Sequence, residues 1–497
     1  MKILIENHPF HYEMENLTRI FFPNEKLEVV KTAEKDAAAQ PPQKPYLVTR
    51  REEKGGSADL SVTACFDSFE KTSCAQVPCD APEYDKACER CLAILLFRLL
   101  EEYTGLTPPW GILTGVRPVK LFRSLAQRYG KEAARVYFED VMLVSKEKTN
   151  LAYVTETNEQ KILERSAMDS FSLYISIPFC PTRCSYCSFV SQTVERAQEL
   201  IEPYTGLLCR ELAYTGALAK KLGLRLETVY MGGGTPTALS AGQLKRVLTA
   251  VGDSFDLSTC REFTVEAGRP DTIDLQKLEA IKSSGCGRIS INPQTLNDDV
   301  LGRIGRKHTA QQAIDAFQLA RQAGFTHINT DLIAGLPQET FESFQETLQK
   351  ILALSPESIT VHTLSLKKSS HLTGQGLEIE REDALRAAKM HRLCRELLPD
   401  NGYFPYYLYR QSRMVGNLEN VGWSVKKHEG LYNVYVMDET HTVFGCGAGA
   451  VTKLKQPGGD FLERIFNYKY PYEYISRFDE MLRRKERAEA FYEQYTK

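Results

Sequence analysis

The chain predicts an α/β fold whose core is six parallel strands, each followed by a helix, curled as a partial (β/α)6 TIM-like barrel. Two observations carry this prediction. From Ser172 onward, short apolar runs of strand length alternate with stretches whose apolar residues recur with a period of about 3.6. Strands joined through helices pair in parallel, and such sheets gather their ligands at the C-terminal strand ends. The residues with the most chemical character fall at those ends.

Three regions follow in order. An N-terminal α+β domain is expected over 1–165, with strands at 2–5, 26–30, 46–49 and 60–66. A polar, Ala/Pro/Gln-rich stretch over 33–44 reads as a loop or linker, and helices are expected at 82–103, 119–129, 132–142 and 146–166. The core over 166–370 has strands at 173–177, 228–231, 263–266, 288–291, 328–333 and 359–362. Its helices are expected at 198–222, 241–251, 274–284, 310–324 and 340–352. A C-terminal α+β cap over 371–497 begins with a helix at 383–398 and a Tyr-rich strand at 403–410. Strands near 431–437 and 441–444 then lead into the turn Gly445-Cys-Gly-Ala-Gly449.

Composition sets bounds. At 497 residues, 42% hydrophobic and 25% charged, the chain is an ordinary globular one of two or three domains. A net charge of −2 gives no reason to expect nucleic acid or an anionic membrane as partner. The start, Met1-Lys-Ile-Leu-Ile-Glu-Asn-His, meets polar residues too early for a signal peptide, and the apolar stretch 92–100 is too short to span a bilayer. A cytoplasmic location is expected, and with it reduced thiols or metal ligands for the 13 cysteines, not a disulfide framework.

Three of those cysteines dominate the reading. Cys180-Pro-Thr-Arg-Cys184-Ser-Tyr-Cys187 follows directly on the first core strand. A Cys-x3-Cys-x2-Cys loop can wrap three corners of a [4Fe-4S] cube and leave the fourth iron open for chemistry. The competing readings are three structural cysteines and a zinc site short of one ligand. Gly232-Gly-Gly-Thr-Pro236 follows the second strand, about 45 residues beyond the last of these cysteines. Its glycines let a ligand approach the backbone closely.

The stretch from Tyr174 to Phe189 resembles the radical S-adenosylmethionine (SAM) enzymes, and within them the oxygen-independent coproporphyrinogen III oxidase-like branch. The long N-terminal extension and Gly416-Asn-Leu-Glu-Asn420 are more similar to its coproporphyrinogen dehydrogenase-like subgroup. The resemblance implies a barrel of the radical SAM type with two cofactors, a [4Fe-4S] cluster on Cys180, Cys184 and Cys187 and SAM on its open iron. One-electron cleavage of SAM then gives methionine and a 5′-deoxyadenosyl radical. By the same resemblance Gly232, Gly233, Gly234 and Thr235 meet the methionyl group, while Glu266, Gln294 and Arg306 hold SAM. Asp331 matches the ribose-binding aspartate, Gly335 and Pro337 shape the turn after its strand, and Tyr174 lies near the substrate. The implied reaction is oxidative decarboxylation of coproporphyrinogen III to protoporphyrinogen IX, with a tetrapyrrole substrate and a reductant such as flavodoxin or ferredoxin.

Two positions depart from that branch. Ser176 stands where the oxidases carry His, and Phe189 where they carry a fourth cysteine. The haem-chaperone branch also lacks that cysteine, but its His-Asn haem motif has no histidine in Gly416-Asn-Leu-Glu-Asn-Val-Gly-Trp423. A haem-binding chaperone and a radical SAM enzyme of another tetrapyrrole therefore stay open. Arg117, Arg410 and Arg413 with Tyr406, Tyr407 and Trp423 could face propionates and a macrocycle, or be solvated charges and core aromatics. His362, ending the sixth strand, could meet the substrate or be structural. Cys74, Cys79, Cys88 and Cys91 invite a second metal site, with Cys88 and Cys91 expected on a helix as small packing residues.

Overall fold

The computed structural model describes residues 1–32, 43–367 and 378–495. The expected linker over 33–44, apart from its last two residues, and the expected boundary at 370 lie outside the described residues. Two compact units emerge. One is Met1–Tyr153 with Glu378–Leu385 and Arg410–Leu418, and the other holds the remaining described residues from Val154 on.

The first unit is built on a five-stranded sheet of β1 (Lys2–Glu6), β2 (Glu28–Thr32), β3 (Tyr46–Lys54), β4 (Ser57–Phe66) and β5 (Phe69–Pro78), in the order β2-β1-β3-β4-β5. Helices His11–Phe21 and Tyr84–Thr104 pack on it through Met14, Leu17, Phe21, Leu92, Leu96 and Phe97, all buried. β5 and the helix His11–Phe21 were not expected. β5 alternates exposed polar and half-buried residues and is specified by its pairing with β4, not by its own hydrophobicity. The helix predicted at 132–142 is Lys131–Val136 followed by a π-helical turn, Tyr137–Val141.

All six predicted core strands form: β6 (Ser170–Ile177), then after two short strands, β7 (Phe179–Cys180) and β8 (Gln192–Thr193), β9 (Arg225–Gly233), β10 (Glu262–Glu266), β11 (Arg288–Ser290), β12 (His327–Ala334) and β13 (Ser358–Thr363). These six core strands lie side by side in chain order, every neighbour parallel. Leu173, Ile175, Val229, Met231, Val265 and Ile289 point outward into the layer of helices and are fully buried there.

The tail does not make a sheet of its own. β14 (Phe404–Tyr409) and β15 (Asn420–Ser424) add antiparallel beyond β13. At the other edge β16 (Thr442–Cys446) pairs in parallel with β6, and β17 (Val451–Lys455) and β18 (Leu462–Phe466) follow, giving eleven strands in all. The strand expected near 431–437 is instead a helix, Leu431–Asp438. Its β-prone Tyr and Val residues are overridden at its first turn, where the Glu262 carboxylate accepts the N–H groups of Leu431 (2.6 Å) and Tyr432 (3.3 Å). Gly445 and Cys446, expected in a turn, are the last residues of β16.

Candidate functional site

The cysteine loop leaves the barrel rim at Pro178 and is pinned at both ends. Phe179 and Cys180 pair with Gln192 and Thr193, which closes the loop on itself. On the barrel side, the N–H of Gly234 donates to Ile177 O (2.8 Å) and that of Thr235 to Phe179 O (2.7 Å). The Thr235 hydroxyl reaches Cys180 Sγ at 3.6 Å. Gly234 is required here: a Cβ would sit 2.7 Å from Phe179 O and 2.9 Å from Cys180 Sγ. The glycine turn and the cysteine loop, separate motifs in the sequence, are one piece of structure.

Cys180, Cys184 and Cys187 are half-buried free thiols. Burial pushes Cys180 up and Cys187 up to about 11, so metal loading must release protons as it forms thiolates. Among the described residues, no three His, Cys, Asp or Glu side chains gather round a point that could hold one metal ion. Soft sulfur donors on a loop that leaves a fourth corner open fit a [4Fe-4S] cluster.

Beyond the loop the strand ends carry a polar arc. The Tyr230 hydroxyl donates to the Glu266 carboxylate (2.5 Å), and a Cβ on Gly232 would come within 2.9 Å of the same carboxylate. Burial, with the Asp331 charge adding to it, raises Glu266 to about 7. Asp331 is buried too, but the His362 ring 3.6 Å away and the hydrogen bond from the Asn329 amide (2.8 Å) outweigh that and hold it below the usual range. Gln294 adopts a left-handed backbone (φ 74°), its N–H donating to Asp331 O, which stitches the ends of β11 and β12 together. Arg306 is buried and donates to Asn292 O (2.5 Å), Gly268 O (3.4 Å) and Tyr186 Oη (3.2 Å).

Inside the barrel, Tyr174, Tyr230 and Tyr432 form a near-parallel stack, with ring centroids 4.5 Å apart for Tyr230–Tyr432 and 6.2–6.4 Å for the pairs with Tyr174. Burial and the nearby Glu266 charge keep the Tyr174 phenol well above its ordinary pKa, so it is a neutral donor. His362, from β13, faces Asp331 and Tyr409, and so lies inside the barrel.

The structure thus brings the three cysteines, the glycine turn, Glu266, Gln294, Arg306, Asp331 and Tyr174 to one end of the barrel. Of the suggested substrate-side residues, Tyr407 lies beside Tyr230 and Asp331, its hydroxyl 3.5 Å from Thr360 Oγ1. Arg410 is buried, bonded to Leu113 O and Asn417 Oδ1 and stacked over Trp110, all within the first unit. Tyr406, Tyr407 and Trp423 are all buried on β14 and β15. Of the second cysteine set, Cys88 is buried and Cys91 half-buried on the helix Tyr84–Thr104, while Cys74 and Cys79 are exposed.

Several site residues escaped the sequence reading. Tyr230 shares strand parity with Gly232 and was detectable from that alternation. Tyr432 carries no local signal, because it arrives on a helix from the tail. Arg269, three residues after Glu266, is buried against the cysteine loop and reads from the sequence as an ordinary loop cation.

Comparison with known proteins identifies the family. Residues 174–351 match the model of the Radical SAM superfamily. The chain is 36% identical over 405 residues to the oxygen-independent coproporphyrinogen-III oxidase-like protein HemZ of Bacillus subtilis, covering 79% of each. It is 34% identical over 283 residues to the heme chaperone HemW of Lactococcus lactis, covering 56% of this chain and 68% of that one. In fold it resembles the crystallised coproporphyrinogen III oxidase HemN of Escherichia coli (TM-score 0.52, 22% identity, 65% of this chain and 72% of that chain). The radical SAM family uses a [4Fe-4S] cluster and SAM. Among the described residues no helix is long and apolar enough to cross a membrane. A cysteine loop pinned by a glycine turn at the rim of a parallel barrel, with a relative matched over four-fifths of both chains, places this protein in the oxygen-independent coproporphyrinogen-III oxidase-like family of radical SAM proteins.

Proposed function

We propose that this protein carries out the oxygen-independent oxidative decarboxylation of two propionates of coproporphyrinogen III to vinyl groups, giving protoporphyrinogen IX. The observation that carries the reading is the tyrosine stack of Tyr174, Tyr230 and Tyr432 beside Glu266, an aromatic wall suited to packing against the pyrrole rings of a puckered macrocycle. The extent of the match to an oxidase-like relative supports it.

When bound, the cluster and SAM supply a 5′-deoxyadenosyl radical that removes a hydrogen from a propionate β-carbon. Cys180, Cys184 and Cys187 would ligate three irons. The backbone of Gly232–Gly234 and the side chains of Thr235, Glu266, Gln294 and Arg306 would bind SAM, with Asp331 accepting from ribose hydroxyls. Tyr174 would stand on the substrate side as a neutral phenol, and the surrounding aromatic surface excludes water from a radical. Loss of carbon dioxide and one electron completes each vinyl group, the electron passing to a one-electron acceptor. A reductant such as flavodoxin or ferredoxin would supply the electron that cleaves SAM, in a cytoplasmic setting.

A second reading, a haem chaperone, draws on two observations. Ser176 is buried and donates to Ala448 O (2.8 Å), so its hydroxyl is occupied in the scaffold and supplies no imidazole. Phe189, 65% exposed, stands where the oxidases carry a fourth cysteine, so that position supplies no thiol. Anaerobic incubation of reconstituted protein with SAM, reductant and coproporphyrinogen III separates the two. Carbon dioxide and vinyl product are expected, and Cys184→Ser should abolish both together with SAM cleavage. Deoxyadenosine without vinyl product, alongside tight stoichiometric haem binding, would favour the chaperone.

A further inference from the structure

Against the cysteine loop lies a buried ion pair that the roles above do not use. Arg269, 3% exposed, leaves the end of β10 and turns its guanidinium toward the loop. Its Nη1 donates to Thr182 O (3.3 Å) and approaches Cys184 Sγ at 3.8 Å, and its Nη2 donates to Thr182 Oγ1 (3.0 Å). On the opposite edge Nε and Nη2 clasp the two oxygens of Asp271, each at 3.1 Å. Thr182 passes the restraint on, its hydroxyl donating to Gly305 O (3.0 Å).

We propose that Arg269 is a positioning residue that sets the reduction potential of the cluster, its cation acting at the Cys184 sulfur and Asp271 moderating that action. The proposal rests on the ligand reading given above for Cys180, Cys184 and Cys187. Reduction adds one negative charge to a cluster. A fixed cation beside one of its sulfurs therefore stabilises the reduced form, and hydrogen bonds to sulfur act in the same direction. Guanidinium stays charged at any working pH, and in this buried setting its field is little screened. Its planar fork also explains the choice of residue. One edge clasps a carboxylate while the other reaches the loop, which the single ammonium of lysine cannot do at once.

Arg269 shares the loop with two other cations, Arg306 at Cys184 and Arg183 at Cys187, and differs from them in its carboxylate partner. Arg306, the other buried cation beside the loop, donates to Asn292 O, Gly268 O and Tyr186 Oη and also interacts with the Cys184 sulfur, but among the described residues Asp271 is clasped by Arg269 alone. His308 lies 3.8 Å from Asp271, too far for a hydrogen bond, and burial lowers it to about 4, so it adds no charge. Asp271 is therefore the anion that offsets Arg269.

The test is an EPR-monitored redox titration of the reconstituted full-length protein without SAM, comparing Arg269→Gln, Arg269→Lys and Asp271→Asn. Arg269→Gln should shift the potential negative by at least a tenfold change in the one-electron equilibrium, about 59 mV. Asp271→Asn should shift it positive, and Arg269→Lys should fall between wild type and Arg269→Gln. A structural tether would not move the potential in opposite directions for the two partners. If Arg269→Gln loses its iron, the sign of the Asp271→Asn shift decides. Unchanged potentials, shifts of the same sign, or loss of iron from all three variants would overturn the proposal. An error in the ligand reading would appear separately, as a Cys184→Ser protein that still binds a full complement of iron.

Discussion

Tyr230 and Glu266, on the adjacent strands β9 and β10, share a hydrogen bond of 2.5 Å in which the phenol donates to the carboxylate. The bond does not offset the burial of that carboxylate, which remains raised to about 7, whereas an unfolded glutamate titrates near 4.3. The folded state therefore holds a proton that the unfolded state has lost between these two values. The associated stabilisation is complete below the unfolded pKa, declines as pH rises and is gone above about 7. Thermal melts of the apoprotein at a series of pH values check this. Relative to wild type, Glu266→Gln should gain in Tm between pH 5 and 8, and a constant difference would mean the carboxyl ionises normally.

Gly234→Ala should cost the protein its cluster before it costs the fold. The added methyl meets Phe179 O and Cys180 Sγ at under 3 Å, so the first cysteine must move. Overpacking of this kind costs about 1–3 kcal/mol. Iron and sulfide analysis after reconstitution should show a large loss, with far-UV circular dichroism close to wild type.

The barrel was legible because its strands and helices announce themselves locally. Leu173–Ile177 is apolar but for Ser176, Ile328–Ile333 is apolar at both ends around Asn329, Thr330 and Asp331, and the helices between the strands keep one apolar face. The cysteine and glycine motifs were legible for a similar reason, since each lies within a few consecutive residues. What stayed hidden depends on distant partners. The helix Leu431–Asp438 is set by Glu262, about 170 residues earlier, and its own β-prone composition points the other way. Tyr432 joins the tyrosine stack only because that helix forms. Arg269 is given meaning by Thr182 and Cys184, more than eighty residues before it. The helix His11–Phe21 is a different case: Met14, Leu17, Thr18 and Phe21 mark a buried face in the sequence itself.

Gly422→Ala should destabilise the β14–β15 edge. A Cβ there would sit 1.8 Å from the Tyr407 ring, a contact that the buried Tyr407 cannot relieve without moving β14. The expected loss is about 1–3 kcal/mol or more, read as a lower Tm. Adding Tyr407→Leu should recover part of it, whereas an additive double variant would show that the clash is not the cause.

Glu211 and Lys485 form a buried ion pair at 3.0 Å, both side chains essentially inaccessible. Glu211 also accepts from Gly447 N (2.7 Å), Asn467 Nδ2 (2.8 Å) and Tyr474 Oη (2.7 Å), and Lys485 donates to Gly445 O (2.6 Å). This network holds the turn after β16, whose Ala448 carbonyl accepts the Ser176 hydroxyl just before the cysteine loop. Lys485→Met removes the cation and leaves a charged carboxylate in the core, which costs about 3–5 kcal/mol. Glu211→Gln keeps an acceptor for the N–H groups without the charge. The double variant should therefore melt above Lys485→Met alone, although below wild type. Because the turn braces Ser176, Lys485→Met should also release iron faster than wild type at temperatures well below its Tm. Equal iron retention would mean that the network supports the sheet edge but not the loop.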